Sequence, residues 1–119
     1  MLIGSIPSVA GDVDDGGNLF LQKCIGCHAF SCNKDGPKLE GLMGRKAGTV
    51  EDYGFYTDAV KNSDIVWDEQ KLDEFLSDPA AFFPQSTMAA SGLIEDAEDR
   101  RKLIIFLKTE DPAVNICSG

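Results

Sequence analysis

Only one histidine, His28, stands in this 119-residue chain. Any chemistry that needs two imidazoles is therefore excluded, whether a paired metal site or a ring-to-ring proton relay. No apolar run approaches the ~18 residues needed to cross a bilayer as a helix, so stable membrane insertion is not expected. Basic residues are also scarce: 11 Lys and Arg against 20 Asp and Glu leave a net charge of −9. With a sequence pI of 4.4, that balance argues against nucleic acid and anionic membrane as partners. It points instead to basic, weakly charged or apolar docking surfaces. Strand-like alternation and internal repeats are missing as well, which makes the expected class all-α.

What the chain does have is Cys24-Ile25-Gly26-Cys27-His28. Two thiols three positions apart, with an imidazole directly behind the second, match covalent haem attachment. Both sulfurs can reach the vinyl groups at one porphyrin edge, and the histidine then falls under the iron. Three other readings compete. A zinc site needs four ligands, and beyond the motif only Cys32 and the distant Cys117 remain. A thioredoxin-like dithiol requires a preceding strand, whereas the residues before Cys24 read as helix. A Cys24–Cys27 disulfide closes no useful loop and leaves His28 unexplained. The haem reading makes Cys24 and Cys27 the thioether positions and His28 one axial ligand.

The length suits one domain, in which a covalent cofactor would form a substantial part of the core. Residues 1–10 read as an N-terminal extension: a processed remnant, an ordered arm or a cloning scar. Gly11 to Lys23 reads as a helix with Asp12 as its N-cap, delivering the thiols. Gly16 and Gly17 inside it suggest close approach of another backbone, or a frayed first turn. Ala29 to Asp52 is Gly-rich and reads as a long folded loop. Thr57-Asp58 caps a short helix over 59–62. Asp68 caps another in which Leu72, Phe75 and Leu76 form an apolar stripe ending at Asp78-Pro79. Phe82-Phe83-Pro84 opens a loop through Gly92. Acids at Glu95, Asp96, Glu98 and Asp99 followed by Arg100, Arg101 and Lys102 give the right polarity for a last helix over 96–109. The domain is thus expected over 11–109, with a tail over 110–119 carrying Cys117.

Cys32 and Cys117 are even in number and outside the motif. Proteins with covalently attached haem are matured outside the reducing cytosol, so a Cys32–Cys117 disulfide is expected. The sixth iron position cannot be filled by a second histidine. Among Met1, Met43 and Met88, the first is terminal and the second lies close after His28. Met88 follows a helix able to carry the chain round the ring, in a segment stiffened by Pro84, and is the expected ligand. A thioether there favours Fe(II) relative to a second imidazole.

Several blocks in order resemble class I cytochrome c of the mitochondrial type and its bacterial periplasmic counterparts. They include Gly11-Asp12-Val13, Phe20, the Cys24 to His28 motif, Asn33 to Pro37, Gly44 to Gly48, Gly54 to Ala59, Trp67, Pro84 to Met88 and Leu103 to Lys108. The resemblance implies helices and loops wrapped around one haem, with first and last helices crossing at Gly16, Phe20, Leu103 and Phe106. It implies axial ligation by His28 and Met88, and a Pro37 carbonyl accepting a hydrogen bond from His28 Nδ1. Arg45, Tyr56 and Trp67 would surround a propionate. The implied activity is one-electron transfer, with no enzymatic chemistry.

The departures matter too. Val60 and Phe75 replace polar groups that the family commonly has on the methionine side, Ser86 stands for its threonine, and Ala90 for an aromatic. These changes keep alive an alternative: a ligand-binding or peroxidase-like haem protein with a labile Met88. Where the family has a ring of lysines, this chain has Ala80, Ala81, Thr87, Glu95 and Asp96, with Lys23 remaining. The expected redox partner, a dehydrogenase, reductase or terminal oxidase, therefore has a neutral, apolar or basic docking face. A monomer is expected, in the periplasm, with the mitochondrial intermembrane space as the alternative.

Overall fold

The computed structural model describes residues 9–111 and Cys117. Six helices follow in order: α1 Val9–Lys23, α2 Asp58–Lys61, α3 Glu69–Ser77, α4 Pro79–Phe82, α5 Met88–Ser91 and α6 Ala97–Leu107. Among the described residues, β structure amounts to one isolated antiparallel bridge, Lys46 with Val66. The all-α expectation holds.

Helix α1 begins at Val9, two positions before the expected Gly11, and residues 1–8 of the expected extension lie outside the described residues. Asp12 is therefore no N-cap. Its carboxylate is buried and reaches across to Arg101 Nη1 at 3.0 Å. A charged partner on a crossing helix satisfies it better than the orphan amides of its own first turn.

The crossing partner is α6, whose N-cap Asp96 accepts from Glu98 N at 2.8 Å. Gly16 makes the crossing close. A Cβ built there would lie 2.1 Å from the Lys102 carbonyl oxygen and 2.8 Å from Phe106 Cβ, so only glycine fits. Phe20 stacks on Phe30 with centroids 5.5 Å apart and leans on Phe106 at the same distance. Burying each such ring contributes roughly 1.5–3 kcal/mol, enough to fix the crossing without help from helix propensity.

The middle of the chain obeys its capping signals. Thr57 caps α2, Asp68 caps α3 by accepting from Lys71 N at 2.8 Å, and Asp78 caps α4 ahead of Pro79 at its first position. The segment after Asp78 departs from the expected loop. It holds two single-turn helices, and Met88 opens the second rather than sitting in irregular chain. Proline at the start of α4 presets the helical φ, and Ser86 Oγ accepts from Met88 N at 3.1 Å to start α5. Ala29 to Asp52 is without helix, as expected, and its turns at Gly41, Gly44 and Gly48 have positive φ.

Cys32 and Cys117 are joined by a disulfide, with Cα atoms 5.8 Å apart and 85 positions between them in sequence. The tail is fastened to the same loop once more, because Gly41 N donates to the Glu110 carboxylate at 3.1 and 3.3 Å.

Candidate functional site

Helix α1 ends at Lys23, and the chain turns tightly through the motif. Cys27 N and His28 N both donate to the Cys24 carbonyl, at 3.1 and 2.9 Å. That turn puts both thiols and the imidazole in one short arc. Neither Cys24 nor Cys27 is in a disulfide; Cys27 is exposed, while burial pushes the Cys24 thiol up to about 11, against a smaller lowering by Lys23.

His28 is 7 % exposed. Its Nδ1 lies 2.9 Å from the Pro37 carbonyl oxygen. A carbonyl can only accept, so Nδ1 carries the proton and Nε2 keeps its lone pair. Burial holds the imidazole below its ordinary range, the Pro37 bond opposes that, and Arg45 and Lys34 add to the lowering. Burial and the two cations favour a neutral ring, and the Pro37 bond fixes the tautomer that leaves Nε2 ready to bind a metal. Gly36 closes the cradle: a Cβ there would sit 2.2 Å from His28 Cε1 and 2.6 Å from Nε2.

This cradle is itself held. Gly36 N donates to the Cys27 carbonyl at 2.7 Å, and Lys34 N to the Gly36 carbonyl at 2.9 Å. Asn33 accepts from Lys38 N at 2.8 Å and donates to Asp52 at 3.0 Å, while the Tyr53 hydroxyl donates to the Asp35 carbonyl. Tyr53, Asn33 and Asp52 were not singled out as support for His28 in the sequence. Their signal would have been an aromatic and an acid together beside a glycine turn, which is too common to read.

A second group lies around Arg45. Its Nη1 donates to the Glu40 carbonyl at 3.1 Å, and burial lowers its pKa, partly offset by Tyr56. Tyr56 accepts from Val50 N at 3.2 Å. Trp67 joins by backbone, donating to the Arg45 carbonyl at 3.0 Å, with Gly44 donating to the Trp67 carbonyl at 2.8 Å. Of the expected trio, Tyr56 faces Arg45 electrostatically and Trp67 is tied to it through backbone bonds. A cavity of about 530 Å³ opens beside it, lined in part by Lys38, Arg45 and Thr49.

The third group contains Met88, half-buried against the core, with Ser86 bonded to its amide. The core it packs against includes an aromatic cluster. Trp67 stacks with Phe82 at 5.9 Å and meets Phe75 at 5.5 Å and Phe83 at 6.1 Å. From sequence, Phe82 and Phe83 signal only the opening of a loop.

These residues fit a covalently attached haem. The donor set is two unbridged thiols and an imidazole whose free nitrogen is fixed by a hydrogen bond, beside a glycine that clears the ring. Zinc finds no support, since among the described residues no group of three His, Cys, Asp or Glu side chains could hold a metal.

The outer surface bears the expected absence of a lysine ring. Ala80, Ala81, Thr87, Glu95 and Asp96 are all exposed, as is Lys23. The bases of α6 and its C-cap are paired with acids of this chain instead: Arg100 with Asp73, Arg101 with Asp12 and Glu98, Lys102 with Asp15, and Lys108 with Glu69.

Comparison with known proteins adds to this geometry. The family model described as Cytochrome c matches residues 13–111. The cytochrome c of Gibberella zeae is 46% identical over 101 residues, spanning 82% of this chain and 93% of that protein. The Arabidopsis thaliana cytochrome c is 43% identical over 106 residues, 87% and 93% of the two chains. Cytochrome c-550 of Bradyrhizobium diazoefficiens is 46% identical over 85 residues, 69% of this chain and 62% of that protein.

Proposed function

The chain belongs to the cytochrome c family, as an electron carrier with one covalently bound c-type haem, and on that premise we propose that His28 and Met88 are its axial ligands. Bound there, the haem supplies a one-electron Fe(III)/Fe(II) couple. The chain's own residues do the rest. Cys24 and Cys27 tether the ring, and Pro37 holds His28 in the tautomer that presents Nε2. Arg45 offers a guanidinium to a propionate, with Tyr56 and Trp67 beside it. Ser86 sets the start of the turn that carries Met88. The observation that carries this reading is the 2.9 Å contact between His28 Nδ1 and the Pro37 carbonyl.

The partner in this proposal is a redox protein whose docking face is neutral, apolar or basic. Support comes from the exposed alanines and acids at 80, 81, 95 and 96 and from the pairing of Arg100, Arg101, Lys102 and Lys108 with acids of the chain itself. Like charge on an acidic-faced partner would slow encounter, and lowering the salt would slow it further. The disulfide and the acidity favour the periplasm over the mitochondrial intermembrane space. The protein acts alone as a carrier, without substrate chemistry.

The test is optical. Ferric protein should show the weak far-red band of Fe(III)–thioether ligation, and Met88→Ala should lose it and bind CO rapidly when reduced. Absence of the band in the unaltered protein, with rapid CO binding, would instead establish a ligand-binding or peroxidase-like haem protein.

A further inference from the structure

Residues 32–41 form a strip whose two ends are both fastened to the C-terminal tail. Cys32 is joined to Cys117, and Gly41 N donates to Glu110, whose own φ of 49° turns the chain there. Ser31 Oγ lies 3.4 Å from Cys117 Sγ, so the tail also touches the residue before the bridge. Between those ends lie Gly36, packed on the imidazole, and Pro37, which accepts the His28 Nδ1 proton.

We propose that the Cys32–Cys117 disulfide is a positioning element for His28, tethering the strip that supplies the ring's hydrogen-bond acceptor. This rests on the reading of His28 as an axial ligand. The physical argument is one of mechanical sequence. Pro37 itself is tied inward by a single hydrogen bond to the imidazole, and apart from buried Gly36 the strip around it is exposed or half-buried loop rather than packed helix. Loops of that kind open locally at low free energy unless tethered. With the bridge intact, outward movement of residues 33–37 is limited near one end by a covalent bond and elsewhere by weaker ties alone: Tyr53 on the Asp35 carbonyl, Gly36 N on the Cys27 carbonyl and Lys34 Nζ on the Ile25 carbonyl. With the bridge cut, the end nearest Gly36 and Pro37 is released, and the Nδ1–H to Pro37 bond spends more time broken. An imidazole that loses this acceptor is a weaker base, and a weaker base favours Fe(II) over Fe(III).

The experiment uses the haem-loaded double variant Cys32→Ser/Cys117→Ser beside the unaltered holoprotein. Solvent exchange of the His28 Nδ1 proton, followed by NMR in the ascorbate-reduced state, should accelerate about tenfold in the double variant. The reduction potential should rise by the equivalent of about a threefold change in the oxidised-to-reduced ratio, about 28 mV at 59 mV per decade for one electron. Asp73→Ala, which removes the partly buried ion pair from α3 to Arg100 of α6, serves as the control that lowers stability without moving either readout. Should the double variant fail to load haem, the bridge is opened in the assembled protein with a phosphine reductant and the same quantities are read. Unchanged exchange and potential alongside a lowered denaturation midpoint would overturn the proposal and leave the bridge as a staple. The far-red band reports separately on Met88, so a failure of the axial-pair reading is visible apart from these results.

Discussion

The carboxylate of Asp12 and the guanidinium of Arg101 meet at 3.0 Å although 89 positions separate them. Arg101 grips Glu98 with its other nitrogens, at 3.0 and 2.9 Å, so one side chain ties α6 to itself and to α1. Asp12→Ala should therefore cost about 1.5–3 kcal/mol, the range for a hydrogen bond to a charged group. Urea denaturation should show a lower midpoint at unchanged slope. An unmoved midpoint would mean that Glu98 alone satisfies Arg101.

The same crossing separates its two glycines. At Gly16 an added carbon meets backbone, the Lys102 carbonyl at 2.1 Å, whereas at Gly17 it meets the edge of the Phe106 ring at 3.1 Å. Backbone cannot yield without parting the helices; a ring can. Gly16→Val should destabilise by about 3 kcal/mol or more, while Gly17→Ala should stay within about 1 kcal/mol of the unaltered protein because gained helix propensity offsets mild crowding. Equal melting temperatures for the two variants would contradict this assignment.

Gly36 is the tightest constraint at the imidazole. A methyl group there has His28 Cε1 at 2.2 Å, so either the ring or residues 35–37 must move. In Gly36→Ala the Pro37 hydrogen bond should be lost, with a higher reduction potential in whatever haem-loaded protein forms and a large fall in its yield. Normal yield with an unshifted potential would count against the cradle.

Tyr53 gives the pH dependence. Burial raises its pKa above the ordinary tyrosine value, and Tyr56 and Asp35 push the same way. A group whose folded pKa is raised contributes stability that is full below the unfolded value, about 10, and is lost as pH climbs through the folded one. Thermal stability should thus decline above about pH 10, with a late phenolate component in an absorbance titration. Tyr53→Phe should remove that component and flatten the decline. Persistence of the late component in the variant would assign it elsewhere.

Much of this architecture can be read in the residue order because the informative signals are local. Asp68, Asp96 and Thr57 announce helix starts through side chains that bond amides two or three positions away. The spacing of Cys24, Cys27 and His28 declares its chemistry within five positions. Asp12 misled for the opposite reason: an acid near a helix start is the usual N-cap, and only the fold brings Arg101 to it. The single-turn helices around Phe82 and Met88 were hidden because four residues are too few to show a period. Tyr53 on Asp35 and Glu110 on Gly41 join loops to loops, where neither capping nor periodicity operates.

The Cys32–Cys117 bridge also orders the maturation of the chain. Cys24, Cys27 and Cys32 lie close together in sequence, whereas Cys117 follows 85 positions after Cys32. Nearby in the chain, Cys32 has only wrong neighbours. Thioether formation at Cys24 and Cys27 takes both of them out of thiol exchange for good, so prompt haem attachment leaves Cys32 with one possible mate, Cys117. The cofactor in this sequence acts as its own safeguard against mispairing.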